Sequence, residues 1–210
     1  MEPHRPVKFR YAGAVSNSPT DRVPTLNIAN ALTVVRILMV PLFVWFLAVD
    51  DGRGGLFRWL AVATFAVAIY TDKLDGDIAR SRGLITDFGK IADPIADKLL
   101  IGSALVMLSL LGELWWWVTI VILVRELGIT LMRFVVIRYG VMAASRGGKL
   151  KTVVQTFAIF VFLLPLSTSL GAWAWWIGAV LMAAALVITV VTGVDYVLQA
   201  LRLRRSGQRA

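Results

Sequence analysis

Between Thr71 and Leu100 the chain reads TDKLDGDIARSRGLITDFGKIADPIADKLL and holds six of its thirteen acidic residues. Asp72 and Asp75 stand three apart, Asp93 and Asp97 four apart, so on helices each pair shares one face. If the segment between the pairs folds back as a hairpin, four carboxylates converge. Such a group repels itself, and in low dielectric it takes up protons unless something cationic joins it. The completion these residues suggest is one or two divalent cations, with oxygen-only ligation favouring Mg²⁺ or Mn²⁺. Residues suited to phosphate lie alongside. Gly76 lets a ligand approach the backbone, Ala79 keeps the intervening surface small, Arg80 offers a bidentate fork, and Gly89 lets the second pair's helix come close. A carboxylate-held cation beside an arginine and glycines describes a pyrophosphate site. The bland alternative is a solvated charged loop between helices.

The elements that must position these groups follow from composition. The chain has 210 residues, 58% hydrophobic and 17% charged, whereas a soluble domain carries about 25% charge. Apolar runs lie at about Leu32 to Val49, Leu56 to Tyr70, Ile91 to Leu111, Leu114 to Ile137, Val153 to Leu170 and Ala172 to Leu203. These lengths suit helices near the roughly 20 residues that cross a bilayer, and open sheets cannot cross lipid. The expectation is an all-α integral membrane protein with six transmembrane helices: a polar segment over 1–24, the helical domain over 25–203 and a basic tail over 204–210. The first segment has no apolar stretch of signal-peptide type.

Basic residues set the expected orientation. With the N-terminus inside, the four inner regions hold sixteen Lys and Arg residues, four each, whereas the outer loops and flanks hold Arg53 and Arg58. This predicts an N-in/C-in topology with the carboxylates at the cytoplasmic edge. Trp115, Trp116, Trp117, Trp173, Trp175 and Trp176 then fall at the outer interface, where indoles prefer to sit. The net charge of +9 is explained by these loops without nucleic acid. Zero cysteines exclude disulfides and thiolate metal sites.

The spacing Asp72-x-x-Asp75-Gly76-x-x-Ala79-Arg80, then Gly89-x-x-x-Asp93-x-x-x-Asp97, resembles the complete signature of the CDP-alcohol phosphotransferase family. The segment LNIANALTVVR from Leu26 to Arg36 is similar to that family's entry to its first helix. The resemblance covers roughly residues 25 to 200, and no signature position departs from it. It implies phosphatidyl transfer from CDP-diacylglycerol to an alcohol, with release of CMP, in a homodimer at the cytoplasmic membrane of a bacterium among membrane lipids. It further implies that Asp72, Asp75 and Asp93 hold metal, and that Asp97 is the general base while lying near a second ion. Asn30, Asp72, Asp75, Gly76, Ala79, Arg80 and Gly89 would meet the CDP-diacylglycerol. Arg36, if it faces the same cavity, would contact phosphate; its alternative is snorkelling to the interface.

Further charges bear on the acceptor. Arg125, Glu126 and Arg133 on the fourth helix would be costly at bilayer depth unless they face a polar cavity. Arg146, Lys149 and Lys151 follow at the inner edge. So much positive charge suits an acceptor that bears phosphate; for the loop, attraction to anionic lipid is the alternative. Arg125, Arg133, Lys149 and Lys151 are therefore expected to bind the acceptor's phosphate. DPIADKLL, Arg125-Glu126 and GGKLKT resemble the family branch that uses glycerol 3-phosphate; inositol phosphate or phosphatidylglycerol would mark sister branches. An ion-coupled transporter is the rival class, but it predicts charges spread through the bilayer depth and half-helix repeats. Here the acids gather at one edge.

Overall fold

A computed structural model describes residues 27–84, 86–136, 146–166, 171 and 173–207. Among the described residues six helices follow one another: α1 (Ile28–Asp50), α2 (Leu56–Ser81), α3 (Asp87–Leu110), α4 (Trp116–Val136), α5 (Arg146–Leu163) and α6 (Trp173–Gly207). No strand occurs among the described residues. The polar segment 1–24 and the last three residues of the basic tail lie outside them.

The helix ends follow local chemistry. Asn27 caps α1, its side chain accepting a hydrogen bond from the Asn30 amide at 2.9 Å, as short polar residues do at helix starts. At the other end of α1 the buried Asp50 accepts from the amides of Gly54 and Gly55 at 3.1 and 2.9 Å, which closes the turn into α2. The α2 helix runs beyond its apolar part through the first aspartate pair and stops at Arg82, just before Gly83 at φ 64°. Thr86 then caps α3 by accepting from the Gly89 amide at 3.0 Å. The hairpin expected between the carboxylate pairs is therefore short, with both pairs on helix.

Packing builds a bundle in which α1 lies against α2 and α3, while α6 lies against α4 and α5. Phe43 and Phe65, both fully buried, meet at 5.6 Å between α1 and α2, beside the small Ala61 and Ala68. Small residues let helix backbones approach closely. Outward faces are apolar: Leu38, Val67, Val124, Leu131, Val153 and Val180 are all exposed. An apolar surface of this extent calls for a lipid solvent. Two helical stretches, Ile28–Asp50 and Trp175–Arg202, are long and apolar enough to cross a membrane, and Leu150–Leu163 is a shorter apolar helix.

The end opposite the carboxylates is tied by a buried cation. Arg58, 3% exposed, pairs with Glu113 in the α3–α4 turn through both terminal guanidinium nitrogens, Nη1 and Nη2. It also donates to the Leu163 and Phe162 carbonyls at 2.7 and 2.8 Å, the open carbonyls that end α5. Trp175 donates its indole N–H to the Glu113 carbonyl at 3.0 Å and meets Trp115 edge-on at 5.3 Å. The described tryptophans of α4 and α6 thus gather at this end. Removing one partner of a buried ion pair leaves the other uncompensated, at about 3–5 kcal/mol. Arg58→Ala is expected to destabilise the protein by that amount in thermal unfolding in detergent, and Arg58→Met with Glu113→Leu to recover most of it.

Candidate active site

On α1, Asn30, Thr33 and Arg36 stand three apart and so share one face of an otherwise apolar helix. All three are buried, Arg36 completely. A guanidinium out of water is tolerated only when paired, and two carboxylates of α2 supply the pairing. Nη1 of Arg36 lies 2.5 Å from Asp72 Oδ1, and Nη2 donates to Asp75 Oδ2. Asp75 is closed off from solvent, whereas the Asp72 side chain remains 49% exposed. The Thr33 hydroxyl donates to Asp93 Oδ1 at 2.7 Å and lies 3.5 Å from Asp75 Oδ2. Through α1, the first aspartate pair is thereby joined to the second.

Asn30 completes the contact with α3. Its amide nitrogen lies 2.8 Å from the Thr86 hydroxyl, which in turn accepts from the Gly89 amide. A Cβ on Gly89 would stand 2.9 Å from Asn30 Oδ1 and 3.3 Å from Thr86 Oγ1, so this glycine is required by the approach of α1 to α3. Between α1, α2 and the start of α3 lies a cavity of about 150 Å³ lined by Asn30, Thr33, Asp75, Gly76, Ala79, Arg80, Thr86, Gly89 and Asp93. Of the residues expected to meet the nucleotide diphosphate, all but Asp72 line it. Arg80 lies over Gly76, where a Cβ would come within 3.2 Å of the guanidinium, and pairs with Asp77 at 2.9 Å on the exposed surface. The sequence had assigned Asp77 no part.

Asp97 is placed differently. One turn beyond Asp93 on α3, it lines a second cavity of about 380 Å³ between α3, α4 and α5, with Lys98, Glu126, Lys151, Thr152 and Gln155. Lys151, 5% exposed, is paired with Glu126. Arg125 also reaches Glu126, at 2.9 Å, but its guanidinium turns to α6, donating to Thr192 at 2.8 Å and lying 5.8 Å over the Tyr196 ring. Of the expected acceptor residues, Lys151 therefore lines the cavity and Arg125 stands behind it. The side chains of Arg133 and Lys149 lie outside the described residues.

The four carboxylates do not form one cage. Among the described residues no group of three metal-ligating side chains stands ready to hold an ion; Asp72 and Asp75 are instead both paired with Arg36. Nor does Arg36 snorkel to the interface. Sequence reasoning missed three residues here: Arg36 as the aspartates' partner, Thr33 as the bridge, and Thr86 as the cap. The three-residue spacing of Asn30, Thr33 and Arg36 was the available signal for the first two, and a threonine just before a helix was the signal for the last.

A helical bundle with an apolar exterior, carrying a cavity lined by carboxylates, glycines and an arginine at one end, is the arrangement of a membrane-associated protein with a polar site. Residues 26–191 match the CDP-alcohol phosphatidyltransferase family, and the chain belongs to it. It is 52% identical over 198 residues to the probable phosphatidylglycerophosphate synthase of Mycobacterium tuberculosis, covering 92% of this chain and 93% of that protein. The CDP-diacylglycerol–glycerol-3-phosphate 3-phosphatidyltransferase of Rickettsia prowazekii is 34% identical over 171 residues, 81% of this chain and 93% of its own length. That of Bacillus subtilis is 37% identical over 148 residues, 66% of this chain and 77% of its own length.

The family uses divalent metal ions, and the donor set fits one. Asp72, Asp75 and Asp93 supply only oxygen, the class hard cations take. These three carboxylates against the single Arg36 guanidinium leave two uncompensated negative charges. Gly89→Ala is expected to lower CMP release at least about tenfold, since overpacking of about 1–3 kcal/mol falls on the α1–α3 contact that holds Asp93. Full activity in a CMP-release assay would show that the helices need not meet so closely.

Proposed function

We propose that this chain transfers the phosphatidyl group of CDP-diacylglycerol to glycerol 3-phosphate, giving phosphatidylglycerophosphate and CMP in phospholipid biosynthesis. The observation that carries the reading is the pair of cavities on the two sides of the first turns of α3. One is lined by Asp75, Asp93 and the glycines, the other by Asp97 and Lys151, and Asp93 and Asp97 stand one turn apart on a single helix face. A diphosphate in the first cavity and an alcohol in the second would meet between these carboxylates. The names of the relatives support the same donor and acceptor.

In this reading Asp72, Asp75 and Asp93 hold one or two divalent cations, Mg²⁺ or Mn²⁺, with Asp97 near the second. Metal bound there would offset the diphosphate's charge and stabilise the leaving CMP. Gly76, Ala79 and Gly89 let the nucleotide phosphates approach the backbone, and Arg80 turns from Asp77 toward them. Asn30 holds the Thr86 end of the cavity. Asp97 takes the proton of the attacking hydroxyl as its oxygen bonds to the phosphorus of the phosphatidyl group and the bond to CMP breaks. A base in this position contributes about 10² to 10⁴ in rate. Lys151 receives the acceptor's phosphate, which displaces Glu126 from it. Lys149 and Arg133 add positive charge, and Arg125 holds Glu126 in place from the α6 side.

The wider arrangement belongs to the same proposal. The six helices span the bacterial cytoplasmic membrane with both termini inside, supported by sixteen basic residues on that side against two on the other. The carboxylate end then faces the cytoplasm, the tryptophan end faces outward, and the protein works as a homodimer among membrane lipids.

Purified protein in detergent with Mg²⁺ or Mn²⁺ is expected to release CMP from CDP-diacylglycerol when glycerol 3-phosphate is supplied, and to stop on chelation. Release with inositol phosphate or phosphatidylglycerol in its place would assign a sister reaction. Asp97→Asn is expected to retain CDP-diacylglycerol binding by calorimetry while kcat falls at least about 10²-fold; undiminished turnover would remove Asp97 from the role of base.

A further inference from the structure

A threonine inside an apolar helix often donates its hydroxyl proton to the carbonyl four residues back. In this protein Thr64, Thr130 and Thr192 do so, at 2.7, 2.8 and 2.7 Å from the carbonyls of Leu60, Glu126 and Ile188. Thr33 departs from that pattern. Its hydroxyl stands 3.1 Å from the Ala29 carbonyl but 2.7 Å from Asp93 Oδ1, and a hydroxyl carries one proton. An ionised carboxylate makes the shorter and stronger hydrogen bond, so the proton goes to Asp93, on another helix. Asp75 Oδ2, 3.5 Å from the hydroxyl, already accepts from Arg36. If Thr33 only filled its place between the helices, a valine of the same shape would do so with no hydroxyl to satisfy.

That bond decides what Asp93 has left to offer. With Oδ1 held by Thr33, the other oxygen, Oδ2, lies toward Gly89, 3.8 Å from where a Cβ on that glycine would stand. Gly89 and Asp93 both line the 150 Å³ cavity between α1, α2 and α3. Thr33 is 1% exposed, so it acts through the carboxylate rather than on a bound molecule. A carboxylate that ligates a metal is itself held by hydrogen bonds, and losing such a partner weakens metal binding by about 10- to 100-fold. Resting on the reading of Asp72, Asp75 and Asp93 as metal ligands, we propose that Thr33 is a positioning residue for the divalent cation, fixing the Asp93 carboxylate by Oδ1 and leaving Oδ2 to the ion. The backbone of Asp93 belongs to α3, but the direction of its carboxylate is then set from α1. Arg36, three residues beyond Thr33, holds Asp72 and Asp75, so one face of α1 orients all three ligands.

The test is Mn²⁺ affinity, read by electron paramagnetic resonance on the detergent-solubilised protein with CDP-diacylglycerol bound, in wild type, Thr33→Val and Thr33→Ser. Thr33→Val keeps the shape and removes the proton. Its Mn²⁺ dissociation constant is expected to rise about 10- to 100-fold, and the Mn²⁺ concentration that gives half-maximal CMP release is expected to rise by the same factor. Thr33→Ser keeps the proton and is expected to retain the wild-type constant. Were Thr33 only a filler of space, serine, which leaves a methyl-sized void, would be the more damaging change. Wild-type affinity in Thr33→Val, or Thr33→Ser as weak as Thr33→Val, would overturn the proposal and leave the metal reading standing. Should Thr33→Val fail to fold, Thr33→Ala takes its place beside Thr33→Ser, from which it differs only by the hydroxyl: weaker Mn²⁺ binding in the alanine variant upholds the proposal, and equal binding overturns it. A wild type that binds no Mn²⁺ would overturn the metal reading and the proposal together.

Discussion

A fully buried arginine held between two aspartates is the constraint on which the functional end of this protein depends. Arg36 sits on an apolar helix and has no exposure to solvent, so its charge has to be met inside the bundle. Asp72 and Asp75 meet it, and in doing so they fix how α1 lies against α2. With that contact set, Thr33 falls against Asp93 and Asn30 against Thr86, which brings α3 in at the distance only Gly89 allows. The 150 Å³ cavity is what remains between the three helices. Its shape is thus a consequence of one charge compensation, and one guanidinium set against three carboxylates leaves negative charge available to a cation.

The opposite end follows a parallel logic with a different outcome. Arg58 is also buried, but its guanidinium is occupied by Glu113 and by the last carbonyls of α5. Opposing charge and carbonyl oxygen there are matched, whereas near Arg36 the negative charge is in excess. An ion-paired end without surplus charge holds helices together; one with surplus charge can also bind. The apolar middle, with Phe43 and Phe65 packed between α1 and α2, keeps the two ends at a fixed separation.

The sequence made the aspartate signature legible because its spacing is helical arithmetic: three and four residues place carboxylates on one face whatever the surroundings. Six apolar runs likewise foretold the six helices of the described residues, though their ends moved. The α2 helix continues to Ser81 because nothing from Thr71 onward breaks it before Gly83, and α3 begins at Asp87 because Thr86 caps it. Which neighbour a side chain meets was not legible. The spacing of Asp93 and Asp97 gives a shared face but not that the two residues open into different cavities. Arg125 and Glu126 are adjacent in sequence, yet consecutive helical positions point about 100° apart, so one turns to α6 and the other to α5. Arg36 could equally have reached for the interface, since a lone arginine on an apolar helix carries no label for its direction; only the stripe it forms with Asn30 and Thr33 pointed inward.

The central claim is that the surplus carboxylates beside Arg36 hold a divalent ion against the substrate's diphosphate. Its most direct test is electron paramagnetic resonance of Mn²⁺ titrated into the detergent-solubilised protein with CDP-diacylglycerol bound, comparing wild type with Asp93→Asn. The account predicts saturable Mn²⁺ binding to the wild type, tightened by the lipid nucleotide and lost in the variant. Identical Mn²⁺ spectra and affinities for the two proteins would contradict it.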